Sequence, residues 1–354
     1  VSLADLKSVL AYFAKEMMGD SVTVTGVSLY AAAKSSAILS TGEEGITLNI
    51  SGPITAVADS ANSSVLDAKF GGDVSVSGGS GSKLIGTGYG LYAAGKVTLK
   101  GNGLKIEAVK DAIHADGEGV WISGDVELST ESEKYTGVYT SAEDADIQLV
   151  SYGSLTVTSA GRGIYTKGAF HKDSYGALTV EAADTAIEAK IINLFNHKIT
   201  VTSKNEYGLV AAENVNIDCW DLVIRAPKCC ITAGTINVEG SLTRVEAYTD
   251  EDMEYYHSHH PVFDGYYHAI HATGDITLAA GGGFAARACG ATTIYAGGKK
   301  RFKVPFTVFK YLQQFLVLHC FFLRKQFFEH RYSLIILCLG SYHILLCLLY
   351  LIIY

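Results

Sequence analysis

The sequence has no Cys-x-x-Cys pair among its seven cysteines, which lie scattered at 219, 229, 230, 289, 320, 338 and 347. That spacing matches neither a zinc site nor a disulfide framework, and it leaves the redox compartment open. Cations are short over most of the chain: residues 1–300 hold 22 of the 28 Lys and Arg against 35 of the 36 Asp and Glu, a net of −13. Affinity for nucleic acid rests on Lys and Arg neutralising phosphates, so this acidic body excludes nucleic acid as the main partner. Helical spacing is missing from residues 28–280, and so is any Leu-x-x-Leu-x-Leu-x-x-Asn pattern, which argues against a leucine-rich repeat. No charged-then-apolar leader opens the chain, whose first residue is Val1. The true N-terminus, with any signal peptide, is expected upstream.

What is present is a repeat. The segments Gly90-Leu91-Tyr92-Ala93, Ala112-Ile113-His114-Ala115, Gly137-Val138-Tyr139-Thr140 and Gly163-Ile164-Tyr165-Thr166 share one pattern. It returns at Ala186-Ile187-Glu188-Ala189, Gly208-Leu209-Val210-Ala211, Cys230-Ile231-Thr232-Ala233 and Ala269-Ile270-His271-Ala272. Successive aliphatic pivots lie 22, 25, 26, 23, 22 and 22 residues apart, then 39 where something is inserted. Two further alternating runs follow each pivot, such as Val97-Thr98-Leu99 and Leu104-Lys105-Ile106. Period-2 alternation buries one face of a strand, and Gly, Asn, Asp and Ser clusters between the runs supply sharp corners. The pattern predicts an all-β fold: a right-handed single-stranded parallel β-helix over residues 21–298, with three strands per coil. Small residues beside the pivots fit a backbone turning tightly round a narrow interior. Each coil covers its apolar face only by stacking on the next, so both ends need covering.

The two ends differ from the body. Residues 1–20 contain an amphipathic stretch with Leu6, Val9, Leu10, Phe13 and Met17 at helical spacing, predicting an N-terminal capping helix started by Ser2. Val1-Ser2-Leu3-Ala4-Asp5-Leu6 also looks like the end of a dockerin-type calcium loop, with Asp5 as its last ligand. Residues 299–354 are rich in Phe, Leu, Tyr, Ile and Cys, and 332–354 contain no Asp, Glu, Lys or Arg. That length can span a membrane. Arg324, Lys325 and Arg331 lie on the solenoid side, however, an orientation opposite to that of an exported anchor. A reading-frame error is the rival explanation of the abrupt change in composition.

Leu91 and Ala93 share the inward direction, so Tyr92 points outward, and the same holds for His114, Tyr139 and Tyr165. These four are expected to stack on one exterior face about 4.8 Å apart per coil, a track of about 14 Å. Such a track suits a few units of an extended glycan, and it also suits plain cross-strand stacking. Asp111 and Asp116 flank one pivot at successive corners, where oxygen-rich turns either hold calcium or cap backbone amides. The insertion Asp250–His260 carries His257, His259 and His260, with His268 nearby. It reads as a metal loop or as a solvated acidic and aromatic loop, the second being favoured for want of a rigid frame.

The phrase Ala108-Val109-Lys110-Asp111-Ala112-Ile113-His114-Ala115-Asp116, with Tyr89-Gly90-Leu91-Tyr92-Ala93 and Gly95-Lys96-Val97-Thr98-Leu99, resembles the carbohydrate-binding β-helix family of anaerobic clostridia. The resemblance covers residues 85–280. It implies a pectate-lyase-like fold, a pectic or cellulosic polysaccharide as partner, an extracellular or cell-surface location, and calcium at acidic corners such as Asp111 and Asp116. Members typically have Gly where this chain has Ala112, and a further Asp where it has Gly117, which counts against calcium. Three functions remain in play: a non-catalytic polysaccharide binder, a polysaccharide lyase or glycoside hydrolase, and a structural surface or adhesin stalk. A lyase needs a base such as Lys110, Lys96 or Lys105, and nothing in the sequence singles one out.

Overall fold

A computed structural model describes residues 18–247, 268–288 and 293–302. Every element in these residues is a strand, from Met18–Gly26 to Lys300–Phe302, and every pairing is parallel. The result is a parallel β-solenoid of about 11 turns. The expected capping helix with its Ser2 and Asp5, the insertion Asp250–His260, and the tail from residue 303 lie outside the described residues.

The pivots behave as their spacing implies. Leu66, Leu91, Ile113, Val138, Ile164, Ile187, Leu209, Ile231 and Ile270 pair in that order from coil to coil, and all are fully buried. Ile231 meets Ile270 directly, so the 39-residue interval is one coil step carrying an insertion. The solenoid also runs past the expected boundaries. Met18–Gly26 pairs with Ile38–Ile50 at one end, and Ile276–Ala288 with Lys300–Phe302 at the other. Beyond the expected pivots, the row gains Ile38 and Leu66 before Leu91 and Ile294 after Ile270.

The small residues beside the pivots answer to the next coil. A Cβ added at Gly163 would sit 2.4 Å from the Ala186 carbonyl oxygen and 2.6 Å from Val180 Cγ1. The Ile164 amide donates to that same carbonyl at 2.9 Å, so the backbones cannot separate to make room.

One inward row breaks its apolar pattern. Leu149, Lys172 and Leu194 pair in succession, and Lys172 is fully buried between the two leucines. Its ammonium donates to the carbonyls of Ser174 (2.5 Å), Phe195 (3.1 Å) and Asn196 (3.5 Å). Burial pulls its pKa from 10.5 down to about 8. The carbonyls it gathers belong to a corner where Ser151, Asn196 and His197 adopt positive φ of 62°, 61° and 35°. These are the non-glycine residues in that region among the described residues, and each such conformation costs roughly 1 kcal/mol. The lysine thus ties down a strained corner from inside.

Candidate functional site

Alternation along each short pivot strand sends one side chain out between two that go in. In Tyr89–Ala93, Ile113–Ala115, Thr136–Thr140 and Arg162–Tyr165 these outward residues are Tyr92, His114, Tyr139 and Tyr165, paired in register. Their rings stack continuously. Centroids lie 4.5 Å apart between Tyr92 and His114, 4.8 Å between His114 and Tyr139, and 5.4 Å between Tyr139 and Tyr165, with interplanar angles of 18°, 26° and 12°. Asp67 precedes the stack in the same row and Glu188 follows it.

The four rings are half-buried rather than fully exposed, because each covers its neighbour's face and further groups close the flank. Tyr89 packs edge-on against Tyr92 at 5.4 Å, His114 at 5.3 Å and Tyr135 at 6.1 Å. Lys110 Nζ lies over the Tyr89 ring at 4.8 Å and the Tyr135 ring at 5.7 Å. At the far end the Arg162 guanidinium covers Tyr165 at 4.4 Å and donates to Glu188 Oε2 at 3.3 Å. Cations over aromatic faces are attracted by the ring quadrupole, so both flanks are electrostatically braced.

Asp111 and Asp116 are both drawn into this stack. Asp111 is 4% exposed; its Oδ1 accepts the Thr136 amide at 2.6 Å and its Oδ2 lies 2.7 Å from His114 Nδ1. Asp116 Oδ2 accepts the Tyr92 hydroxyl at 2.6 Å, while Oδ1 accepts Ser141 Oγ at 2.6 Å and lies 3.2 Å from His114 Nε2. His114 therefore bridges two carboxylates, and only a doubly protonated ring donates to both. Burial alone would raise the Asp116 carboxyl, but hydrogen bonds from Ser141 and Tyr92 and the nearby His114 hold it below its ordinary value. Burial and the bond to Asp116 push the Tyr92 phenol well up. Burial first, and then the Asp111 charge, raise Tyr89.

Spacing alone placed the four rings and the two aspartates beside them. It did not identify Tyr89, Tyr135 and Arg162, and it named Lys110 only as a candidate base; all four act from neighbouring positions off the outward row. Nor did it find that the row resumes, with His271 stacked on Tyr295 at 5.1 Å and His268 on His271 at 5.5 Å. Burial and the neighbouring His268 lower the His271 pKa. Tyr295 carries the pivot signature Ile294-Tyr295-Ala296, a signal present in the sequence. Of the lysines weighed as a base for a lyase, Lys110 is committed to two rings, and Lys105 pairs with Glu107 at 3.0 Å and Glu127 at 3.2 Å. Lys96 lies over the Trp121 ring at 5.1 Å.

Among the described residues no group of three or more His, Cys, Asp or Glu is arranged to hold a metal ion, and no helix is long and apolar enough to cross a membrane. Cys219, Cys229 and Cys230 are buried free thiols. No protein-family model, curated protein or solved structure matches this chain, so the likeness to the clostridial β-helix family stands on its quoted residues.

Proposed function

We propose that the solenoid is a non-catalytic polysaccharide-binding module of the cell exterior, meeting its ligand along Tyr92, His114, Tyr139 and Tyr165. The single observation that carries this reading is the register of four outward rings, one per coil, at centroid steps of 4.5, 4.8 and 5.4 Å. A glycan repeats hydroxyls at a step close to the roughly 4.8 Å coil spacing. Because the rings spend their faces on each other, the sugar meets ring edges. Phenol hydroxyls, the Arg162 guanidinium and the Glu188 carboxylate there donate and accept hydrogen bonds. Each coil is taken as three-stranded and right-handed, the usual hand for parallel crossovers.

Calcium is not needed in this proposal. Asp111 and Asp116 would have to surrender the Thr136 amide, the Tyr92 and Ser141 hydroxyls and the His114 ring before coordinating a cation. A stabilising stack without a ligand is the second reading, favoured by the same use of ring faces. A lyase ranks behind both, since Lys110, Lys105 and Lys96 already have partners.

The test is electrophoresis of the full chain through gels containing polygalacturonate or hydroxyethylcellulose, with chelator throughout. Tyr139→Ala combined with Tyr165→Ala should reduce retardation while the protein still melts cooperatively. Unchanged retardation assigns the stack to packing. Release of an unsaturated, ultraviolet-absorbing product would replace the binder with a lyase.

A further inference from the structure

A second aromatic row occupies a different corner of the coil, and no part of the reading above uses it. Tyr152, Tyr175, His197 and Trp220 recur at intervals of 23, 22 and 23 residues, the period of the solenoid itself. The register confirms the alignment: Ser151 pairs with Ser174 just before the two tyrosines, and Phe195 with Asp218 two residues before His197 and Trp220. Tyr152 stacks on Tyr175 at 5.6 Å and 29°, and His197 on Trp220 at 6.2 Å and 30°. We infer that this corner row is a docking strip for an uncharged polysaccharide chain.

Exposure distinguishes it from the first stack. Tyr152 is 80% exposed, Tyr175 59% and Trp220 70%, whereas His114 keeps only 14% of its side chain in contact with solvent. Looser, two-by-two stacking on an open corner leaves ring surface free to cover the apolar C–H faces of sugars. An isolated exposed aromatic is ordinary; four in register on consecutive coils form a patch.

The backbone beneath supplies an independent argument. Ser151, Asn196 and His197 hold positive φ at this corner, and the fully buried Lys172 gathers the carbonyls of Ser174, Phe195 and Asn196 under it. Burying a cation and straining three residues costs stability, and neither device improves the apolar core around it. Both fix the directions in which Tyr175 and His197 leave the coil. Asn196 Nδ2 donates to Asp173 Oδ1 at 2.9 Å and fixes the surface side of the same turn.

Charge selects the ligand class. Around the row stand Asp173, Asp218 and Asp221 against Lys198 and the Lys172 ammonium beneath the corner, a small acidic excess on a chain already acidic over its body. A uronate polymer would be repelled, while an uncharged polymer of hydroxyls finds carboxylate acceptors beside ring faces.

This proposal shares the polysaccharide-binding reading but stands on different residues, so the two can fail separately. The sequence has two tryptophans, and Trp121→Phe in the full chain leaves Trp220 as the reporter. Titration with hydroxyethylcellulose should change Trp220 emission saturably, and polygalacturonate should not. Tyr152→Ala with Tyr175→Ala, both at exposed positions, should raise the apparent Kd about tenfold with an unchanged melting curve. Tyr139→Ala with Tyr165→Ala should leave this titration intact. Silence with the uncharged polymer, a response to polygalacturonate alone, or an unchanged Kd in the corner variant each overturns the inference. If the corner variant keeps full affinity and the stack variant loses it, only the first site binds; the reverse result leaves only the second.

Discussion

Replacing Asp111 with Ala should destabilise the solenoid more than any other single change in the aromatic stack. The side chain is 6% exposed, and both oxygens are engaged, by the Thr136 amide at 2.6 Å and the His114 ring at 2.7 Å. Thr136 is itself 2% exposed, so its amide has no route to water once the carboxylate is gone. An orphaned buried donor costs about 1–3 kcal/mol, and a lost bond to a charged group about 1.5–3 kcal/mol. His114 keeps Asp116 as a second partner, so the combined loss should be about 3 kcal/mol rather than the full sum. A lowered Tm of roughly 5 °C follows for a domain of this size. Asp111→Asn keeps an acceptor for Thr136 but not the charge facing His114, and should cost about half as much. Thermal and urea unfolding followed by far-ultraviolet circular dichroism measures both variants. A loss below about 1 kcal/mol for Ala, or equal damage from Asn and Ala, would refute the brace. A calcium site predicts a different pattern, in which chelator alone lowers the parent's Tm; here chelator should have no effect.

Two further outcomes follow from the core. Lys172 has a folded pKa of about 8, below its unfolded 10.5, so between those values the unfolded chain binds more protons and stability rises with pH. Relative to Lys172→Met, the parent should gain up to about 3 kcal/mol as pH climbs from about 8 to 10.5, measured by urea unfolding; parallel curves would show that burial does not perturb this amine. Gly163→Ala places a methyl 2.4 Å from the Ala186 carbonyl and should cost about 1–3 kcal/mol. Wild-type stability in that variant would mean that adjacent coils part more easily than their hydrogen bonds imply.

The fold was legible because a solenoid repeats its constraint. Every coil must present an apolar residue at the same inward place, so Leu91, Ile113, Val138 and their successors to Ile231 recur at a period of 22–26 residues. The aromatic stack was legible for the same reason, since a residue between two inward ones must face out. Its depth was not: half-burial comes from Tyr89, Tyr135 and Arg162, whose reach depends on rotamers rather than on alternation. Lys172 was hidden because lysine is almost never fully buried, and nothing local marks this one as an exception. The corner row Tyr152, Tyr175, His197 and Trp220 kept the period in plain view. Tyr152, Tyr175 and His197 lie in turns, where alternation carries no signal, and Trp220 lies where the strand Tyr207–Arg225 rounds the same corner, so only comparison across coils reveals the register.

The central claim is that this solenoid binds polysaccharide without cleaving it. Its most direct test is affinity electrophoresis of the unaltered chain against a panel of uncharged and uronate polymers with chelator present, followed by an assay of the recovered glycan for cleavage. Retardation by at least one polymer, with its chain length unchanged, is the expected result. Free migration through every gel, or a shortened polymer, would contradict it.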